Sequence, residues 1–123
     1  MPSSSATDPL GKLYVVGTPI GNLGDITLRA IETLKLVDRV LAEDTRRTRT
    51  LLNQLGITGK PIASIEAHVT EKRLLGLLEF LLAGDRLALV TDAGMPGVSD
   101  PGAKFVTLAR EAGIAIEVVP GPS

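Results

Sequence analysis

The sequence predicts an α/β fold, a three-layer open sheet of five mainly parallel strands flanked by four helices. Two observations carry this. From Leu10 onward, short β-branched or Leu/Val runs alternate strictly with longer segments of helical period. Each unit also ends in punctuation, with Gly56, Gly84 and Gly113 placed where helical segments must stop. At 123 residues the chain can bury one sizeable core and not two, so a single compact domain is expected over 10–123.

The elements follow in order. Leu13 to Val16 reads as the first strand, and Leu28, Ile31, Leu34 and Val37 recur at spacings of three, which predicts one apolar helix face against the sheet. Val40 to Ala42 is the second strand. Thr45 is placed to cap a helix that carries Leu51, Leu52 and Leu55 and stops at Gly56, where positive φ is cheap. Ile62 to Ile65 is the third strand, and Val69 to Ala83 a Leu-rich helix closed by Gly84. Leu87 to Val90 is the fourth. After a long Gly/Pro loop, Asp100 as N-cap and Pro101 at the first helical position open a helix to Ala112, ahead of Gly113. Ile114 to Val119 is the fifth strand. Such alternation implies right-handed crossovers and a ligand site beyond the carboxyl ends of the strands. The last strand runs into Pro120-Gly-Pro-Ser123 with no helix after it, which reads as a domain cut from a longer protein.

Composition narrows the chemistry. Thirteen basic and fourteen acidic side chains argue against a module that holds nucleic acid by bulk charge alone. With no cysteine there is no disulfide framework, thiolate metal site or cysteine nucleophile, in keeping with a reducing cytoplasm. Residues 1–9 are rich in Ser, Thr and Pro and read as a disordered tail, not a signal peptide. No apolar run is long enough to span a bilayer, so a soluble protein without a membrane partner is expected. One histidine and scattered acids offer no metal site, and Tyr14, Phe80 and Phe105 alone make no base-stacking platform.

Three loops that follow strands are rich in Gly and Pro: Gly17-Thr-Pro-Ile-Gly-Asn-Leu-Gly24, Asp92-Ala-Gly-Met-Pro-Gly-Val-Ser-Asp-Pro-Gly102 and Pro120-Gly-Pro-Ser123. All three are expected at one end of the sheet. Glycine lets backbone approach a ligand and proline rigidifies the approach, so such loops can seat a small molecule with a zwitterionic tail. Simple turn-making is the bland alternative for each loop. Neither the P-loop ending nor the dinucleotide fingerprint is present, and no acidic pair follows the first strand as a phosphoacceptor receiver would need.

Directly after the second strand comes Glu43-Asp-Thr-Arg-Arg-Thr-Arg49. One reading is a capped helix with acids near its positive end and solvated arginines. The functional reading has Glu43 or Asp44 orient or deprotonate a hydroxyl while Arg46, Arg47 or Arg49 clamps phosphates. Asp92 and Asp100 are similar cases, with Asp100 well explained as a cap. His68 is expected to be a hydrogen-bonding structural residue more than a proton shuttle.

Taken together, Leu13-Tyr-Val-Val-Gly-Thr-Pro-Ile-Gly-Asn-Leu-Gly-Asp-Ile-Thr27, Ala42-Glu-Asp-Thr-Arg46, Val90-Thr-Asp-Ala-Gly94 with Ser99-Asp-Pro-Gly102, and Pro120-Gly-Pro-Ser123 resemble one family. It is the small-subunit ribosomal RNA cytidine 2′-O-methyltransferase family, a branch of the tetrapyrrole methylases. The resemblance implies a homodimeric cytoplasmic enzyme in which two α/β domains enclose S-adenosylmethionine and act on ribosomal RNA or the small ribosomal subunit. This chain would be the amino-terminal domain alone. The resemblance further implies that Pro19, Asp92, Ala93, Gly94, Met95, Pro96, Val98, Ser99, Pro120, Gly121, Pro122 and Ser123 contact the cofactor. Glu43, Asp44 and Arg46 match the acidic-arginine motif near the substrate entrance. Met95 stands where the family has a small polar residue, and Val69-Thr70 replaces its Asn-Glu beside His68. Two alternatives stay open: a corrin or porphyrin methyltransferase on the same scaffold, and a noncatalytic α/β binding module.

Overall fold

The computed structural model describes residues 10–19, 23–91 and 100–121. The elements are β1 (Lys12–Gly17), a 3-10 turn (Leu23–Asp25), α1 (Leu28–Leu36), β2 (Arg39–Ala42), α2 (Thr45–Gln54), β3 (Ile62–Ser64), α3 (Glu71–Leu82), β4 (Arg86–Thr91), α4 (Pro101–Glu111) and β5 (Ala115–Val119). The strands form one sheet in the order β3-β2-β4-β1-β5, and every pairing in it is parallel.

The order explains where the helices lie. The chain moves from β1 through β2 to the β3 edge and then returns through β4 to the β5 edge. Right-handed crossovers that reverse direction must place their helices on opposite faces. Two buried clusters match this. On one face Tyr14, Val16, Val40 and Ala88 pack with Ala30 and Leu34 of α1 and Leu52 of α2. On the other Leu13, Val15, Leu41, Leu87 and Leu89 pack with Leu74, Leu77 and Leu81 of α3 and Phe105 and Ala109 of α4. The central strands are therefore apolar on both sides, as parallel sheets require. Phe105 is fully buried there, which stabilises the fold by about 3 kcal/mol relative to exposure.

Each helix begins on a side-chain cap. Thr27, Asp44, Thr70 and Asp100 accept hydrogen bonds from the backbone N–H groups of Ala30, Arg47, Arg73 and Ala103. After α2, α3 and α4 the chain turns at Gly56, Gly84 and Gly113, with φ of 78°, 106° and 85°. The end of α1 has no such glycine. Lys60 closes it instead, its Nζ donating to the Lys35 carbonyl at 3.1 Å and also to that of Val37, a cation at the negative end of a helix.

Several expectations need correction. Thr45 is the first residue of α2 and not its cap, because the carboxylate of Asp44 reaches Arg47 N at 2.9 Å. Leu28 is 80% exposed, so the sheet-facing stripe of α1 runs through Ala30, Thr33 and Leu34. The helix expected from Val69 begins at Glu71, since Val69 N closes a turn on Glu66 O at 3.0 Å and Thr70 is the cap. Ile65 and Ile114 lie just outside their strands. The 3-10 turn had no expectation, and all strands are parallel where mainly parallel was expected.

Candidate active site

The carboxyl rim of the sheet is where the chain diverges. Strand β4 lies between β2 and β1. Its exit leads to α4 on one face, while β1 and β2 lead to α1 and α2 on the other. Loops leaving neighbouring strands toward opposite faces open a crevice, the usual ligand position in open α/β sheets.

Three of the loop stems meet at this crevice. Thr18, the residue after β1, is only 4% exposed, and both its N–H and its hydroxyl donate to the Thr91 carbonyl, at 2.8 and 3.1 Å. That pair ties the first loop to the last residue of β4. On the other side of β1, Gly121 follows β5 so closely that a Cβ there would stand 3.3 Å from the Gly17 carbonyl carbon and 3.4 Å from its Cα. Only glycine lets these two backbones approach without a shift. Pro19 is half-buried beside Thr18, Pro120 is exposed, and Gly121 is half-buried.

The acidic-arginine segment stands at the exit of β2, the other neighbour of β4. Glu43, Asp44 and Arg46 are all exposed. Asp44 is committed to the cap of α2, whereas no hydrogen bond or ion pair engages the Glu43 carboxylate among the described residues. Arg49 donates from Nη1 to the Lys60 carbonyl at 3.0 Å. His68 is exposed in the turn between β3 and α3. Asp100 is spent as a cap, its Oδ1 accepting from Ala103 N at 2.8 Å.

The expectations for Asp92, Ala93, Gly94, Met95, Pro96, Val98, Ser99, Pro122 and Ser123 lie outside the described residues. Sequence reasoning missed Thr18 as the latch between two loops. Its only signal was a hydroxyl side chain directly behind a buried strand, which a parallel neighbour's last carbonyl can claim. No group of three or more His, Cys, Asp or Glu side chains suited to a metal occurs among the described residues. No helix of the described residues is long and apolar enough to cross a membrane.

Comparison with known proteins adds to this geometry. The sequence profile of the Tetrapyrrole (Corrin/Porphyrin) Methylases matches residues 12–123. The chain is 52% identical over 114 residues to the Ribosomal RNA small subunit methyltransferase I of Thermotoga maritima, covering 93% of this chain and 51% of that protein. It is 54% identical over 113 residues to the Ribosomal RNA small subunit methyltransferase I of Leptospira biflexa, covering 92% and 47%. The chain thus spans about half the length of the curated relatives it matches. Among solved structures, a uroporphyrin-III C-methyl transferase from Thermus thermophilus, complexed with S-adenyl homocysteine, superposes with a TM-score of 0.67 at 24% identity, over 92% of this chain and 49% of that one. At that identity the likeness speaks for the fold.

Proposed function

The chain belongs to the tetrapyrrole (corrin/porphyrin) methylase family, and from that premise we propose that it is the amino-terminal half of an enzyme that methylates the ribose 2′-hydroxyl of a cytidine in small-subunit ribosomal RNA. In this reading residues 10–123 form the S-adenosylmethionine-binding domain, a second α/β domain completes the enclosure, and the whole protein works as a cytoplasmic homodimer. Half-identity to two ribosomal RNA methyltransferases supports the branch. The observation that carries the site is the meeting of the β1, β4 and β5 exits through Thr18, Thr91, Gly17 and Gly121.

The residues present fit the cofactor. Backbone bare of side chains at Gly17 and Gly121, stiffened by Pro19 and Pro120, offers main-chain groups to an amino-acid tail. The rest of the cofactor set falls in 92–99 and 122–123. When bound, S-adenosylmethionine supplies an electrophilic methyl group on a cationic sulfur. The protein's part is to hold the ribose in line and to remove its proton. Glu43 is the base in this reading, because its carboxylate is unspent among the described residues while Asp44 holds α2 in place. Arg46 stands on the first turn of α2 beside them, where its guanidinium can orient a phosphate next to the reacting ribose.

Glu43→Gln with Asp44→Asn in the full-length enzyme tests this. Asparagine caps a helix as well as aspartate does, so folding should be kept. Methylation of small-subunit RNA should slow by about 10²- to 10⁴-fold, the scale of a lost general base, with S-adenosylmethionine affinity by calorimetry unchanged. An unchanged rate rules out the carboxylate role. No cofactor binding by the full-length protein rules out the methyltransferase reading, and methyl transfer to a tetrapyrrole in place of RNA moves it to the other branch.

A further inference from the structure

Thr27, Thr33, Thr50 and Thr70 bond within one helical turn. The hydroxyls of Thr33 and Thr50 donate to carbonyls four residues back, those of Arg29 at 2.8 Å and Arg46 at 3.2 Å, and Thr27 and Thr70 accept from the N–H groups of Ala30 and Arg73 as caps. The Thr18 hydroxyl behaves differently. It donates to the Thr91 carbonyl, a partner 73 residues along the chain, so its bond joins two strand exits and not two turns of one helix.

Packing alone does not call for a hydroxyl at this position. Val15 and Val16, just before it, are fully buried, and a further valine has the branched shape of threonine with no polar group to satisfy. Thr18 is only 4% exposed, and a buried hydroxyl is tolerated only with an acceptor. The acceptor is the same oxygen that takes the Thr18 N–H, so both donors of one residue meet on one carbonyl. That carbonyl stands where the sheet ends. The pairing of β1 with β4 stops at Gly17 with Thr91, and that of β2 with β4 one residue earlier, at Ala42 with Val90. Peptide units are planar, so an oxygen held by two donors fixes the plane in which the chain leaves β4. Residue 18 is at the same time the stem that carries Pro19 away from β1.

We infer that Thr18 is a positioning residue for S-adenosylmethionine, its hydroxyl holding the β1 and β4 exits at the spacing and orientation that the cofactor requires. The side chain is buried and acts through the two stems, not by touching the ligand. This rests on the methyltransferase reading for the identity of the ligand, and it deepens that reading by giving a role to a residue outside the cofactor-contacting set.

The test is Thr18→Val against Thr18→Ser in the full-length enzyme, with S-adenosylmethionine as the probe in calorimetry and in steady-state methylation of small-subunit RNA. Valine keeps the branched shape and the backbone N–H bond and removes only the hydroxyl, whereas serine keeps the hydroxyl. Thr18→Val should weaken S-adenosylmethionine binding about tenfold and raise its KM to match, with kcat at saturating cofactor within about twofold of the wild type, the pattern of lost binding and not of lost chemistry. Thr18→Ser should bind within about twofold of the wild type. Should Thr18→Val fail to fold, Thr18→Ala makes the same comparison, since it too lacks the hydroxyl and adds no atom. A variant without the hydroxyl that loses urea stability but binds S-adenosylmethionine as the wild type does overturns the positioning role, and so does a Thr18→Ser variant that binds as weakly as Thr18→Val. Those outcomes leave the methyltransferase reading standing. A wild-type enzyme that binds no S-adenosylmethionine strikes that reading itself, and the inference with it.

Discussion

The two rims of the sheet are built from the same kinds of residue to opposite ends. At the amino rim the chain is closed by backbone. Gly11 N donates to Leu81 O at 2.7 Å, and Asp38 N donates to Arg86 O at 2.7 Å while Asp38 Oδ2 accepts from Arg86 N at 2.8 Å. The Arg39 guanidinium lies 3.7 Å from the centre of the Phe80 ring, and Gly56, Gly84 and Gly113 turn the helices back into strands with positive φ. At the carboxyl rim no described residue has positive φ, and the groups present are helix caps, exposed acids and arginines, and glycines chosen for close approach. Glycine serves positive φ at one rim and close approach of two backbones at the other. Under the proposed function, stability and ligand contact are thus separated along the strand direction, a division that lets loops vary without unseating the core.

Substitutions on either side break or sharpen this contrast. The largest effect on folding belongs to Gly11→Ala, whose Cβ would fall 1.7 Å from the Asp85 carbonyl oxygen, a backbone atom that cannot swing away. Destabilisation of about 3 kcal/mol is expected in urea melts, at the upper end for overpacking, with cofactor affinity of the full-length enzyme unaltered once folded. Gly121→Ala is the counterpart. Its Cβ requires a shift of a few tenths of an ångström against Gly17, so S-adenosylmethionine binding should weaken about tenfold, ~1.4 kcal/mol, with little change in urea midpoint. If both glycines alter only stability, the rims do not differ in the way described.

The smallest effect is expected from a surface network that belongs to neither rim. Glu117 of β5 accepts from Lys12 at 2.7 Å and from Arg29. The hydrogen bond from Lys12, followed by that from Arg29, holds the Glu117 carboxyl below its ordinary range, and the bond to Glu117 raises Lys12 above its own. The Glu117 contribution is present above the ordinary glutamate value, about 4.3, and is lost as pH falls through the depressed folded value. The Lys12 contribution is present below about 10.4 and is lost as pH rises through the raised one. Glu117→Gln should lower the melting temperature slightly at neutral pH, and the gap to the wild type should close at both extremes. A gap independent of pH would show that the network contributes no charge pairing.

Much of the fold was legible because apolar periodicity and glycine punctuation are local. Gly56, Gly84 and Gly113 were read as helix stops from their neighbours alone, and Asp100 with Pro101 as a helix start. Errors came where two local signals competed. Thr45 and Asp44 both suit a cap, and the carboxylate, a charged acceptor aimed at Arg47 N, prevails. Leu28 fits the apolar spacing, yet Thr27 starts the helix and the turn that follows leaves Leu28 in solvent. For the candidate site, sequence identified the segments and not their joints. Nothing near Thr18 names Thr91 as its partner, and nothing near Gly121 names Gly17.

Sequence by itself therefore determined the layer architecture and most of the helix ends, since each is a relation among residues within a few turns of chain. The strand order, the opposite faces taken by the outgoing and returning helices, and the joints of Thr18 with Thr91 and of Gly121 with Gly17 were decided only in the folded molecule. Those are relations between residues dozens of positions apart, and hydrogen bonding across parallel strands, which carries no local sequence code, sets which of them meet.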